Sequence, residues 1–346
     1  MPTLFNRHFT PDDLRRLTGA MDQLAGVCLV EYVDGKARGL RAAEVWTGSG
    51  LRFAVWLDRG MDIGPAEFAG HSLAWLHPAL GTPGQFEPEK HGWVRTFGGG
   101  LMTTCGLTFF GQPEQDGAES LGLHGRISHI PAQNVRVTTG WQGDDYVLTI
   151  EGDVRQAVLF GENLLLTRRI TTRLGATSFR VEDRVRNDGF RATPHMLLYH
   201  CNFGFPVVSP DSELIITPRD EAVRPRDAAA ERGLAAHTRF ELPTPDYAEQ
   251  VFFHHPRADE AGYVTASVIN RSLDFGTFVR YRAAELPALA QWKMMGAGDY
   301  VCALEPATNH ESPRAKLRAQ GQLNMLAPGE QVNYVLEMGV SAAARS

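Results

Sequence analysis

The chain opens with one helical signal and then changes period. Thr10 can cap, Pro11 suits the first helical position, Asp12 and Asp13 favour the positive end of the dipole, and Gly19 can end the run. From there apolar and polar residues alternate with period two, in segments 51–58, 134–139, 145–152, 163–174, 178–187, 213–217, 262–270, 275–282 and 331–340. Turn signals separate them: "GDD" at 143–145, "NDG" at 187–189 and "APGE" at 327–330. Many short strands without intervening helical patterns predict an all-β, antiparallel sandwich or barrel with a short N-terminal helix. No composition break or fixed-period repeat divides the chain, so residues 1–346 read as one domain. The stretch 217–247 mixes charges, Ala and Pro; it reads as an excursion over the surface or beside a site, with a small helix at 227–236.

Composition narrows the class. With 43% hydrophobic and 21% charged residues, 35 Gly and 20 Pro, this is a turn-rich globular chain. Its net charge of -6 argues against a basic face that tracks nucleic acid and leaves room for a local basic pocket. Cys28, Cys105, Cys201 and Cys302 are far apart with no CxxC pair, which reads as buried free thiols in a reducing compartment. The N-terminus has no apolar signal region, and no apolar run approaches the roughly 18 residues of a membrane span. A soluble, cytoplasmic protein is expected. The histidines form no HExxH, so no metal is expected, and no G-x-S-x-G elbow marks a serine hydrolase.

Several stretches have the residue types for chemistry. In "PHMLLYHCNFGFP" (194–206), His200 and Asn202 share a strand face with Met196 and Leu198, and the Phe-Gly-Phe-Pro exit places the strand end near a rim. A core histidine bonded to a backbone carbonyl is the alternative. In "LGLHGRISHIPAQ" (121–133), His124 and Arg126 straddle Gly125, so two donors flank a backbone that a ligand can approach, or else this is a solvated turn; His129 reads as structural. "WVRTFGGGLMTTCGL" (93–107) puts three glycines after Arg95, but neither a P-loop nor a dinucleotide fingerprint follows, and a structural bulge is the alternative. In "DYVCALEPATNH" (299–310), Glu305 ends an apolar run; a desolvated carboxyl there would be a base near neutral pH, and an exposed strand-end Glu is the alternative. Trp292 can stack on a sugar or fill the core. Asp58, Arg59 and Asp62 read as a hairpin exit held by an ion pair.

In chain order these pieces resemble the aldose 1-epimerase (galactose mutarotase) superfamily, in particular its divergent aldose-1-epimerase-like branch. The resemblance runs from "SGLRFAVWLDRGMDI" to the closing "LAPGEQVNYVLEMGV". It implies a large antiparallel β-supersandwich with a sugar in an open cleft. "YHCNFGFP" resembles the family's "H-x-Y-F-N" strand, which would make His200 the general acid with Asn202 beside it. "LHGR" resembles the "H-G" motif, with His124 on sugar hydroxyls or ring oxygen; "VRTFGGG" resembles the segment giving a substrate-binding arginine, here Arg95; and "ALEP" that of the catalytic glutamate, here Glu305. Glu249 in "EQVFFH" is the candidate for a further acidic residue. Arg126 and Cys201 depart from the family pattern, so sugar specificity does not carry over.

The function so implied is a cofactor-free isomerase that opens and recloses an aldose ring by acid/base catalysis. Its partner is a small sugar, with no nucleic acid or membrane, in a monomer or homodimer. The alternatives are a non-catalytic carbohydrate-binding or sensing protein, and an isomerase or lyase acting on a modified or keto sugar. A phosphorylated or sulfonated sugar would bring Arg95 and Arg126 into play as anion partners.

Overall fold

Each alternating segment pairs with its neighbours in register, and all strand pairs of the main sheets are antiparallel. The structure, a computed structural model, describes residues 2–217, 222–310 and 312–342. The largest sheet has eight strands in the order Gln133–Gln142, Asp145–Ala157, Asn163–Arg173, Ser178–Asn187, Gln331–Ala342, Phe275–Arg282, Tyr263–Asn270, Ser212–Thr217. One of its faces meets the core and the other is partly wet, which is why its sequence alternates. Along Ser178–Asn187, for instance, Phe179, Val181, Asp183 and Val185 point inward.

A six-stranded sheet packs against it, in the order Arg224–Pro225, Gln250–His254, Ala288–Met295, Tyr300–Ala307, Leu198–Gly204, Thr103–Cys105. Its central strands are buried on both faces, so Leu198–Gly204 and Tyr300–Ala307 show no alternation at all. A five-stranded N-terminal sheet runs Gly26–Glu31, Arg41–Trp46, Leu51–Trp56, Asp62–Phe68, His71–Ser72. One cluster of buried apolar side chains draws on all three sheets, including Val55, Ile63, Leu166, Val181, Phe203 and Leu304.

The first helix spans Pro11–Leu17, with the expected Thr10 cap reciprocated by Asp13, and ends at Thr18. The helix foreseen at 227–236 is Ala228–Gly233 followed by a single 3-10 turn at Leu234–Ala236, capped by Asp227. Residues 218–221 of that excursion lie outside the described residues.

Two expectations are corrected. Cys105, Cys201 and Cys302 are buried free thiols, but Cys28 is exposed, because Gly26–Glu31 is the edge strand of the N-terminal sheet. Asp58, Arg59 and Asp62 do not hold one another by an ion pair. Asp58 binds Arg41 at 2.6 Å, Arg59 donates to the Gly81 carbonyl, and Asp62 faces Arg168 at 3.1 Å. Arg168 is wholly buried and ties three sheets together. Its guanidinium reaches Asp183 on its own sheet, Asp62 of the N-terminal sheet and the Thr104 hydroxyl of the six-stranded sheet, while Tyr199 donates to Asp183 at 2.7 Å. That network lies directly behind the strand carrying His200.

Candidate active site

The strand 198–204 pairs with 300–307 so that Leu198 faces Ala307 and Cys201 faces Leu304. The same register sets His200 opposite Glu305, with both side chains on the face turned away from the core. On the next strand Ala290 is directly opposite Glu305, and Ala288 opposite Ala307. Small side chains thus floor the sheet around the pair. Two hollows lie nearby, and of the pair only Glu305 lines either of them. One, of about 330 Å³, is lined by Trp75, Phe97, Tyr247, Glu249, Trp292 and Met294. A narrow one of about 20 Å³ lies over Glu305, His124, Leu198 and Ala290.

His200 Nε2 lies 3.2 Å from Glu305 Oε1. The opposite nitrogen, Nδ1, is 2.5 Å from Asn202 Oδ1. Asn202 spends its amide N–H groups on the carbonyls of Gly100 and His200, so its oxygen must accept and His200 Nδ1 must donate. A neutral His200 therefore points a lone pair at Glu305. Gly100 can present its carbonyl to Asn202 because it has no side chain: with φ at +95°, a Cβ there would sit 2.7 Å from the Ile63 carbonyl.

Burial sets the charge state of the pair. Glu305 is pushed up to about 8, first by desolvation and then by the negative charge of Glu249, against the pull of Arg226. His200 is brought down to about 4 by desolvation, with the Asn202 hydrogen bond and Glu249 opposing. Near neutrality the two groups therefore hold one proton between them, and they titrate as a coupled unit. His124 stands 5.7 Å from His200, ring to ring and edge on, and burial lowers it to about 3, with the His200 charge adding to the effect. Its Nδ1 is buried with no hydrogen-bond partner.

His124 has φ of +57°, costly for a side chain of its size, and Gly125 follows at +75°. A Cβ on Gly125 would lie 2.4 Å from the Phe109 carbonyl and 2.5 Å from that of Gly106. Gly125→Ala is expected to cost about 1–3 kcal/mol in urea unfolding by straining this turn, and to displace His124.

Of the residues the sequence nominated, His200, Glu305, Asn202, His124, Trp292 and Glu249 come together. Trp292 stands with its ring 5.5 Å from that of His200 and donates its indole N–H to Glu249 at 2.8 Å. Glu249 also accepts from Arg226 at 2.8 Å. Arg95 does not join them: it ends the 3-10 turn Gly92–Arg95 with its side chain outward, 3.4 Å from Glu87. Arg126 is likewise exposed, at the start of the 3-10 turn Ile127–His129. His129 is structural, bonded to Thr96 and stacked on Phe86.

The motif around Arg95 contributes different side chains. Trp93 and Phe97 turn inward, stack on each other at 4.2 Å and stand 6.4 and 5.6 Å from the His200 ring. Trp75 and Tyr247 line the larger hollow as well, and the buried Tyr247 hydroxyl has no partner. Trp75 comes from an irregular segment with no alternation to reveal it. Among the described residues no group of three or more His, Cys, Asp or Glu side chains is placed to hold a metal.

A family model described as "Domain of unknown function (DUF4432)" matches residues 37–340. No curated protein matches the chain. Among solved structures it is similar to a putative aldose 1-epimerase from Klebsiella pneumoniae subsp. pneumoniae, at 25% identity and TM-score 0.86 over 94% of this chain and 87% of that one. A galactose mutarotase-like protein from Clostridium acetobutylicum aligns at 13% identity and TM-score 0.60, covering 92% and 99% of the two chains. A galactose 1-epimerase from Lactobacillus acidophilus NCFM aligns at 14% and 0.59, again over 92% and 99%. At these identities the last two speak to the fold alone.

Proposed function

The chain belongs to the DUF4432 family, a divergent branch of the galactose mutarotase-like superfamily, and from that membership we propose that it is a mutarotase, interconverting the anomers of an aldose by acid/base ring opening and reclosure. The observation that carries the proposal is the buried His200–Glu305 pair, 3.2 Å apart and holding a single proton, with the rings of Trp93, Phe97 and Trp292 between 5.5 and 6.4 Å from that of His200.

Ring opening needs a base for the anomeric hydroxyl and an acid for the ring oxygen, two atoms on the same carbon. Groups this close can serve both. With the shared proton on His200, Glu305 takes the hydrogen of the anomeric hydroxyl as the C1=O double bond forms, the bond from C1 to the ring oxygen breaks, and His200 protonates that oxygen. The proton count of the pair is unchanged. Rotation about the C1–C2 bond presents the other carbonyl face, and the reverse transfers close the ring as the other anomer. Asn202 keeps His200 Nε2 aimed at Glu305, and His124, 5.7 Å from His200 ring to ring, would bond a sugar oxygen. Trp292, its ring 5.5 Å from that of His200, offers a flat face for the apolar side of a pyranose. These chemical steps call for no metal or organic cofactor.

The single-proton requirement fixes the pH profile. Below about 4 the pair gains a second proton and loses its base; above about 8 it loses its proton and with it the acid. kcat/KM for anomer exchange is therefore expected to be bell-shaped with limbs near those values. Asn202→Asp places a carboxylate against His200 Nδ1, which favours the charged imidazole, so the acidic limb should move to higher pH. A profile flat from pH 4 to 9 would remove the pair from the reaction.

A further inference from the structure

Resting on the mutarotase reading, we propose that the sugar is anionic, bearing a carboxylate, phosphate or sulfonate at the end remote from its anomeric carbon, and that Arg224 holds that group. The strands place the two ends in one row. Arg224 is directly opposite Phe253, Phe253 opposite Ala290, and Ala290 opposite Glu305. Directly opposed residues in antiparallel strands share a face, so the row runs across the cleft side of the sheet.

Arg224 leans inward along that row: its guanidinium carbon lies 4.4 Å from the centre of the Phe253 ring. A cation–π contact uses none of the guanidinium N–H groups on an acceptor oxygen. Among the described residues no carboxylate pairs with it, whereas neighbouring Arg226 is engaged by Asp227 and Glu249. From above Phe253 to the strand of Glu305 is two strand spacings, about 10 Å. With a hydrogen bond at each end, that leaves the length of a six-carbon sugar, and Ala290 is the residue of the row that stands between.

A hollow of about 360 Å³ opens at this end of the row, lined by Arg224, Arg226, Phe253, Phe110, Gln112 and Ser312. Phe110 and Gly111 also line the narrow hollow over Glu305, so the two hollows adjoin. Glu114 is the carboxylate in its wall, and it is taken by the backbone N–H of Arg314. In a chain of net charge -6, this hollow is lined by two arginines against one glutamate. Arg95 and Arg126, the arginines that the sequence offers for an anion, line none of these hollows, and Arg224 takes their place.

The test compares glucose and galactose with their uronates, their 6-phosphates and their 6-deoxy-6-sulfonates, using the full chain. Both kcat/KM for anomer exchange and Kd by NMR titration are read. Wild type should prefer one anionic class over the neutral sugar, and R224Q should lower that anionic-to-neutral ratio by about 10–100-fold, the worth of a charge-assisted hydrogen bond. R224K should retain part of it. The preferred anion names the class. The Kd arm in E305Q separates this inference from the reaction: an anion preference that persists there and falls in E305Q/R224Q supports Arg224 even if no sugar turns over. Equal binding of neutral and anionic sugars by wild type, or a preference that R224Q leaves intact, overturns it.

Discussion

Glu305→Gln is expected to slow anomer exchange by about 10²–10⁴-fold, the usual worth of one positioned acid or base, while the folded state survives. The glutamine keeps the volume and one hydrogen-bonding oxygen but can neither take nor return a proton. His200→Asn should fall in the same range for the complementary reason, and the double variant should lose little more than either single one, because the two groups act as one proton-carrying unit. Saturation-transfer NMR measures the rates, and circular dichroism with urea unfolding checks the fold. Glu305 is held above the ordinary carboxyl range by burial, so Glu305→Gln also removes a group that resists ionisation. Its stability should match or exceed wild type above pH 8, where the wild-type carboxyl must ionise without solvent.

Arg168→Leu is expected to be the most damaging substitution for stability, at about 3–5 kcal/mol in chemical denaturation at neutral pH. The guanidinium is fully buried and faces Asp183 at 2.6 Å and Asp62 at 3.1 Å. Removing it leaves two buried carboxyls without their cation. Asp62 is already pushed up to about 6 by burial even with Arg168 opposing, and in the variant it rises further. A carboxyl whose folded value is raised contributes stability that is full below its unfolded value and is lost as pH rises through its folded value. The loss in Arg168→Leu should accordingly be larger at pH 8 than at pH 5. A deficit that does not vary with pH would assign Arg168 to packing alone.

The eight-stranded sheet was legible because its strands have one wet face; the segment 178–187 coincides with the strand Ser178–Asn187. The sheet that bears the site was harder to read for the opposite reason. Tyr300–Ala307 is buried on both faces and Ala288–Met295 is nearly so, which erases the period of two. His200 and Glu305 showed through as polar side chains interrupting apolar runs, and their register brings them together. Arg95 was misleading: in a 3-10 turn neighbouring residues diverge, and Trp93 rather than Arg95 turns inward. The partners of Asp58 and Asp62 were invisible locally, since Arg41 is 17 residues away in the chain and Arg168 is 106. Arg224 lacks any motif, and only the cross-strand row gives it meaning.

The most direct measurement is anomer exchange by NMR in water and in deuterium oxide, with neutral and anionic aldoses and the wild-type chain. Accelerated exchange of one sugar class, with no deuterium appearing on carbon and with Glu305→Gln abolishing most of the effect, is the predicted result. Deuterium entering the carbon skeleton, or exchange no faster than in buffer for any sugar that binds, would contradict the account: the first outcome makes the pair abstract a carbon-bound proton, and the second makes the cleft a receptor.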